Sequence, residues 1–310
     1  RGGFDLITDT VHHLRAPHFY HAPSGMSEAA FLDSLIEELE AKILAIGPNN
    51  VACFVAEPVM GSGGVIVPPV GYQLRTYEVC QRYEVLYISD ETVTGFGRLG
   101  EIFASERLFG ISPDIVTCAK GLTSGYVPLG AMLVSARLYE AVTGVGATGQ
   151  FFANGFTYSG HPVACAAGIA TLDILEREEI CAHVREIGPY FQARMQELVD
   201  LPIVGEVRGT GLMLALEFVS DRAERTPPPN EWTIARRVSR YAMSRGLMVR
   251  PAGGHLIVLS PPLIVGREHV DQMTEIVRGS ILDAMDELTS EGLAHGAAVQ
   301  RRNLNSRVSW

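Results

Sequence analysis

A carboxylate and an amine each follow a short apolar segment in this sequence. Residues 85–88 lead to Asp90, and residues 115–118 lead to Lys120. Both segments have the length and apolar character of buried strands in a parallel sheet. Because open α/β sheets bind ligands at the carboxyl ends of their strands, the sequence predicts that Asp90 and Lys120 lie at a functional edge.

This pair of residue types suits one kind of cofactor chemistry. A lysine amine in a partly dry site loses its proton more easily and can form a Schiff base with an aldehyde. A carboxylate that faces a pyridine nitrogen keeps that nitrogen protonated, as in enzymes that use pyridoxal phosphate (PLP). When spacing is the only evidence, the ordinary interpretation is favoured: Asp90 caps a helix, and Lys120 is a loop lysine on the surface.

The elements around the pair alternate between strands and helices. Apolar spacing predicts helices over residues 28–46 and 72–83, and residues 51–56 and 130–134 read as further short strands. This alternation is typical of βαβ units in a mostly parallel, doubly wound α/β sheet. Glu57, which follows residues 51–56, is therefore predicted to join Asp90 and Lys120 at the same edge.

The second half of the sequence has a different pattern. Helices are predicted near residues 176–199, 230–245 and 267–290, with strand-like segments at 203–219 and 247–259. We therefore predict a large domain over 1–172, a smaller α+β domain over 173–292, and a loose tail over 293–310.

Composition excludes several classes of partner. The net charge of −10 comes from scattered acids, which argues against nucleic acid or an anionic membrane as the main partner. No apolar run approaches the length of a membrane span. The five cysteines are widely spaced and show no metal-ligand spacing, so buried thiols in a reducing cytoplasm are expected.

Four histidines near the start of the sequence raise the possibility of a metal site. They are His12, His13, His18 and His21. Since Pro17 and Pro23 interrupt any helix that could align them, we expect ordinary loop histidines and no metal site.

Five segments, in order, resemble the class III (omega) aminotransferases, which are PLP enzymes of fold type I. They are AEPVMGSGGVIVPPVGY (56–72), DETVTGFGR (90–98), PDIVTCAKGLTSGYVPLGA (113–131), GFTYSGHPVACAA (155–167) and RPAGGHLIVLSPPL (250–263). The resemblance covers nearly all of residues 1–290. A nucleotide-binding Rossmann protein would share the alternation of strands and helices, but the sequence lacks its G-x-G-x-x-G turn.

The resemblance implies roles for the cofactor-binding residues. Lys120 would be the Schiff-base lysine and the proton shuttle, and Asp90 would pair with the pyridinium nitrogen. Thr92 stands where the family usually has Val or Ile against the cofactor ring, and its methyl group can still pack there. Thr157 would bind the cofactor phosphate in the active site of the partner subunit, which implies a homodimer.

The resemblance also implies a substrate site and a reaction. Glu57 would lie on the substrate side of the cofactor. Arg250 resembles the mobile arginine that grips a substrate carboxylate through two parallel bonds and retracts for an uncharged amine. An apolar residue at position 93, where ornithine- and GABA-type branches have Gln, points to the amine– or β-alanine–pyruvate branch.

The implied activity is transfer of an amino group from an amine or ω-amino acid to a keto acid, with pyruvate expected. A decarboxylating transaminase, an aminomutase and an inactive remnant are the alternatives. The family's upstream phosphate loop, ring-stacking aromatic and substrate gate have no counterpart here. We therefore expect residues 1–310 alone to bind PLP weakly or not at all and to expose apolar surface.

Overall fold

The computed structural model describes residues 5–7, 9–143 and 154–294, and its first half contains a four-stranded sheet. The strands are β1 (Cys53–Ala56), β2 (Leu86–Asp90), β3 (Ile115–Cys118) and β4 (Ala131–Val134), which lie side by side in that order. The first three are parallel, and β4 is antiparallel to β3. The predicted mostly parallel sheet is therefore confirmed.

Four α-helices precede, connect or follow these strands. They are α1 (Glu28–Ile46), α2 (Tyr72–Arg82), α3 (Ala104–Arg107) and α4 (Ala136–Thr143). The hydroxyl of Ser27 accepts a hydrogen bond from the Ala30 amide and begins α1, while Gly47, at φ 89°, ends it. The apolar faces of α1 and α2 bury against β1 and β2 in one core cluster, which holds the parallel strand ends in place.

The second half contains a four-stranded antiparallel sheet and four helices. The helices are α5 (Pro162–Arg177), α6 (Ile180–Gln196), α7 (Ile234–Ser244) and α8 (Arg267–Ser290). The strands are β5 (Val204–Thr210), β6 (Met213–Phe218), β7 (Arg250–Ala252) and β8 (Leu256–Leu259), in the order β5-β6-β8-β7. Short 3-10 helices span Phe19–His21, Pro48–Asn50, Lys120–Thr123, Glu197–Asp200 and Asn230–Trp232.

The two halves share one core. Phe96, Cys118 and Leu122 of the first half lie in the same apolar cluster as Phe191 and other buried residues of the second. The predicted domain limit at residue 173 falls inside α5, which packs against the 3-10 turn that begins at Lys120. The domain limits 1–172 and 173–292 stay a prediction, and most of the tail over 293–310 lies outside the described residues.

Large apolar side chains remain exposed along β4 and α5. All four residues of β4 are exposed, and Val163 and Ile169 of α5 are 62% and 61% accessible. Phe156 and Tyr158, just before α5, are also exposed. This surface agrees with the expectation that residues 1–310 leave apolar surface uncovered. No helix among the described residues has both the length and the apolarity needed to cross a bilayer.

Candidate active site

Three ionisable residues lie at the carboxyl ends of three adjacent strands. Glu57 follows β1, Asp90 ends β2, and Lys120 comes two residues after β3. The parallel pairing of these strands places their carboxyl ends at one edge of the sheet. The predicted convergence of strand ends is therefore confirmed in the structure.

The pKa of Glu57 reflects these neighbours. Burial raises the pKa of its carboxyl above the ordinary value, the charge of Asp90 raises it further, and the charge of Lys120 lowers it. Both charges therefore lie within electrostatic reach of Glu57. Its Oε2 also accepts a hydrogen bond of 2.8 Å from the amide of Gly61. That bond fixes the side chain against the glycine-rich turn, which closes through the isolated bridge between Met60 and Ile66.

A buried glutamine holds the backbone of Glu57. Nε2 of Gln73 donates to the carbonyls of Glu57 and Pro58, at 2.9 and 3.0 Å. Its Oε1 accepts a bond of 2.5 Å from the hydroxyl of Tyr87, which is fully buried in β2. The position of Glu57 is thus tied through Gln73 to the neighbouring strand.

The Asp90 carboxylate is half-buried and partly free. Its Oδ1 accepts a hydrogen bond of 3.0 Å from the amide of Thr92, which turns the chain directly after β2. Among the described residues, Oδ2 has no hydrogen-bond partner. One oxygen therefore remains available to a donor that enters the site.

Lys120 occupies a strained backbone position. Its φ is +41°, in the left-handed region that costs an ordinary residue about 1–2 kcal/mol. The side chain is exposed and forms no ion pair within the described part of the chain. A Cβ on the adjacent Gly121 would lie only 2.9 Å from Cβ of Phe96, so glycine permits this turn to approach the loop after β2.

Glu91 is a structural acid whose role the sequence did not reveal. It is fully buried, and its Oε2 accepts bonds from the Thr94 hydroxyl and the Ala104 amide at 2.7 and 3.0 Å. Its Oε1 accepts from the amide and hydroxyl of Ser105, at 2.8 and 2.6 Å. Four donors fit an ionised carboxylate, which only accepts, so Glu91 fixes the loop that starts at Asp90.

Two arginines attach the active-site loops to the second sheet. Arg98 donates to the carbonyls of Leu212 and Pro261 at 2.8 and 2.6 Å, and burial lowers the pKa of its guanidinium to about 10. Arg208 of β5 donates to the carbonyl of Gly64 at 2.9 Å. No local pattern in the sequence predicts either contact, because each joins residues more than 100 positions apart.

Val93 packs beneath the glycine-rich turn. A Cβ on Gly61 would lie 2.9 Å from Cγ1 of Val93, which is closer than real contacts allow. Val93 also packs on an apolar cluster that contains Val59 and Val65. The apolar residue at position 93 therefore supports the turn after β1.

Thr157 and Arg250 lie at the margin of this arrangement. Thr157 is exposed in the turn before α5, and no described residue bonds its hydroxyl. Arg250 is exposed at the start of β7 and forms no described ion pair. Ala252, on the same face of β7, packs on the cluster that includes Val93. The structure brings neither side chain into contact with Glu57, Asp90 or Lys120.

A sequence model of the class-III aminotransferases matches residues 3–281. This chain belongs to the class-III aminotransferase family. Aminotransferases of this class depend on PLP, and the predicted α/β fold is confirmed by solved transaminases. The described residues fit that cofactor, because Asp90 has a free carboxylate oxygen and Lys120 an amine without an ion-pair partner at one sheet edge.

Individual relatives carry different activities. The chain is 43% identical over 289 residues to a probable mitochondrial γ-aminobutyrate transaminase 2 of Oryza sativa, covering 93% of this chain and 58% of the relative. It is 42% identical over 300 residues to diaminobutyrate–2-oxoglutarate transaminase of Halomonas elongata, covering 95% and 64%. The chain therefore spans less than two thirds of the length of these curated relatives.

A solved structure shares the fold closely. The thermostable (S)-enantioselective omega-transaminase of Thermomicrobium roseum superposes with a TM-score of 0.85 at 40% identity. The match covers 91% of this chain and 62% of that protein. The class of aminotransferase is thus established for the chain, whereas the relatives differ in the amine and keto acid that their names record.

Proposed function

We propose that this chain forms the catalytic part of a PLP-dependent transaminase. The enzyme would move an amino group from an amine or ω-amino acid to a keto acid, with pyruvate as the acceptor. The observation that carries the proposal is the meeting of Glu57, Asp90 and Lys120 at the ends of three neighbouring strands. A fixed acid and an unpaired amine at one edge are what this chemistry needs.

When bound, PLP supplies a protonated ring that withdraws electrons from the reacting carbon. Asp90 would hold that ring nitrogen protonated through Oδ2, since Oδ1 is already engaged by the amide of Thr92. Nζ of Lys120 would hold the cofactor and move the proton of the substrate carbon that bears nitrogen. Thr92 would offer its methyl group to the cofactor.

Two residues outside this cluster complete the proposal. Arg250 binds the carboxylate of the keto acid, because its exposed guanidinium has no described partner and can form two parallel hydrogen bonds. Glu57 would lie on the substrate side of the cofactor. Burial and the charge of Asp90 raise the pKa of its carboxyl, and the charge of Lys120 lowers it.

A homodimer would bring Thr157 to the cofactor phosphate of the partner subunit. Support comes from the exposed turn of Thr157 and from the large exposed apolar side chains that flank it, Phe156 and Tyr158. Monomeric soluble proteins seldom expose large apolar patches.

A cytoplasmic location also stays a prediction, based on five free cysteines.

Val93 supports pyruvate as the acceptor. Its partly buried apolar side chain packs close to Gly61 and offers no amide, unlike the Gln that the resemblance implies for the GABA-type branch. The Oryza relative is named a γ-aminobutyrate transaminase, and the name of the Halomonas relative includes 2-oxoglutarate. An assay of several amine donors and keto-acid acceptors tests the proposal, with γ-aminobutyrate as donor and 2-oxoglutarate as acceptor the competing outcomes.

The sequence offers a sharp test, because it contains only two lysines, Lys42 and Lys120. The chain, and a version extended upstream of Arg1 to the length of its relatives, would be titrated with PLP, reduced with borohydride and mapped by peptide. We expect a visible absorption band and a label on Lys120 in the extended protein. A label on Lys42 alone, or no label in either protein, would overturn the proposal.

A further inference from the structure

A 3-10 turn brings two histidines together near the start of the described chain. The amide of His21 donates to the carbonyl of His18 at 3.1 Å, and residues Phe19–His21 form one turn. Side chains three residues apart eclipse each other in such a turn. Pro17 and Pro23 bound this short turn, and one turn between them is enough to bring His18 and His21 together.

The pair faces a buried carboxylate in the second sheet. Nε2 of His21 lies 2.7 Å from Oε1 of Glu217, a residue of β6 that is only 2% exposed. The ligand atoms of His18, His21 and Glu217 all lie within 4.8 Å of one another. Two imidazoles and one carboxylate thus converge from segments 196 positions apart.

A third imidazole points at the same oxygen. Nε2 of His255 lies 3.9 Å from Oε1 of Glu217. Nδ1 of His255 is 2.8 Å from the carbonyl of Gly253, and because a carbonyl only accepts, Nδ1 carries the hydrogen. In the neutral ring this leaves a lone pair on Nε2 facing a carboxylate. That lone pair is available to a cation bound beside Oε1 of Glu217.

The other carboxylate oxygen is already held. Nη1 of Arg208 donates to Oε2 of Glu217 at 2.6 Å and to Oε2 of Glu206 at 2.5 Å. Glu206 in turn lies 3.0 Å from Nε2 of His18. Metal ligation takes neutral imidazoles, and in that state two glutamates and one arginine leave a net charge of −1, which suits a divalent cation. Arg208 orients Glu217 so that Oε1 points at the histidines.

We propose that His18, His21, Glu217 and His255 bind a divalent transition-metal ion, with Zn²⁺ the best match. Imidazole nitrogen and carboxylate oxygen are the ligands that Zn²⁺ takes at about 2.0–2.2 Å, most often in a tetrahedron. Tetrahedral ligand atoms lie roughly 3.3 Å apart at that bond length. To bind the ion, the distance between Nε2 of His21 and Oε1 of Glu217 must increase by about half an ångström. The rings of His18 and His255 must move towards Glu217.

Metal at this place would clamp the N-terminal segment onto the second sheet. His18 and His21 belong to the segment before α1, whereas Glu217 and His255 belong to β6 and the loop before β8. The competing account is a network of hydrogen bonds and ion pairs that needs no metal. The two accounts differ in one measurable respect, because only a metal site takes up Zn²⁺ with defined stoichiometry.

The test is Zn²⁺ binding by the full chain after treatment with a chelator. Isothermal titration calorimetry at neutral pH should show one equivalent bound, with the melting temperature raised by about 4 °C or more at a hundredfold excess over the dissociation constant. Co²⁺ in place of Zn²⁺ should give the visible spectrum of a tetrahedral nitrogen–oxygen site. His18→Ala and His21→Ala should each weaken Zn²⁺ binding by at least about tenfold.

Matched variants separate this site from others. His13→Ala removes an exposed histidine of the same segment and should leave the affinity unchanged. His255 belongs to the loop before β8 and not to the N-terminal segment. His255→Ala therefore tests the site even if His21→Ala fails to fold. Zn²⁺ affinity equal to that of the parent protein in both His21→Ala and His255→Ala would overturn the proposal, because the ion would then bind elsewhere, for instance at a cysteine.

Discussion

Asp90 lies directly opposite Thr117 in the parallel pairing of β2 and β3. The chain needs only three more residues to reach Lys120 from Thr117, so the acid and the amine emerge at one edge of the sheet. The amide of Glu91 donates to the carbonyl of Thr117 at 2.8 Å and extends this pairing past the end of β2. Substitutions at this edge therefore test the proposed chemistry most directly.

Replacing Lys120 by Ala should abolish turnover, because its amine is the group that we propose holds the cofactor and moves the proton of the substrate. Lys42→Ala, on the exposed face of α1, should retain the activity of the parent protein. Both variants would be assayed in the upstream-extended protein with amine donors and pyruvate. Substantial turnover by Lys120→Ala would remove Lys120 from the catalytic role.

Replacing Asp90 by Asn should lower kcat by about 100-fold or more, because a neutral amide cannot hold the proton on the ring nitrogen. Asn keeps an oxygen for the Thr92 amide, so the turn after β2 should stay intact. The checks are steady-state kinetics and the absorption spectrum of bound PLP. Asp33→Asn, which breaks only an exposed ion pair with Arg75, is the control.

Arg250→Ala should impair the use of a keto acid more than the use of an uncharged amine. Losing a charge-assisted pair of hydrogen bonds costs about 1.5–3 kcal/mol, or roughly 10- to 150-fold in kcat/KM for the keto acid. Arg236→Ala removes another exposed arginine and should change neither half-reaction. Equal losses in both half-reactions would refute the role of Arg250 in binding the carboxylate.

Glu57→Gln should stabilise the chain increasingly as pH rises. The pKa of Glu57 lies above its ordinary value of 4.5 in the folded chain, chiefly because burial disfavours the charged carboxylate. The folded state therefore holds more protons than the unfolded state between the two pKa values, and stability falls as pH rises through that window. Gln can keep the bond from the Gly61 amide without this penalty.

Urea unfolding of the parent chain and Glu57→Gln from about pH 4 to pH 8 measures this effect. The difference in free energy of unfolding should move in favour of the variant across the series. A constant difference, or one that moves in favour of the parent chain, would show that burial does not disfavour the charged form of Glu57.

Gln73→Met should destabilise the fold by about 2–4 kcal/mol, because two carbonyls lose a donor and the buried Tyr87 hydroxyl loses its acceptor. Gln81→Met, on the exposed side of the same helix, should stay within about 0.5 kcal/mol. Combining Gln73→Met with Tyr87→Phe should show a coupling of about 1 kcal/mol in urea unfolding. Strict additivity would mean that the 2.5 Å bond contributes nothing.

Local patterns in the sequence were sufficient to predict the parallel strands and the positions of the acids and the amine at their ends. Apolar runs of strand length alternate with amphipathic runs of helix length, and both patterns are visible among residues that are close in the sequence. The predicted helix over residues 28–46 matches α1, and the apolar run before Asp90 became β2. The motif around Lys120 pointed to the family, which the match over residues 3–281 confirmed.

Only the tertiary structure decided which distant residues meet. Glu91 stands beside Asp90 in the sequence with no pattern that assigns it a role, and burial with four donors made it a structural anchor. Arg208 and the cluster of His21 with Glu217 join segments more than 100 positions apart. Periodicity reports which face of an element is buried, whereas such contacts depend on how whole elements pack, and so no local pattern in the sequence encodes them.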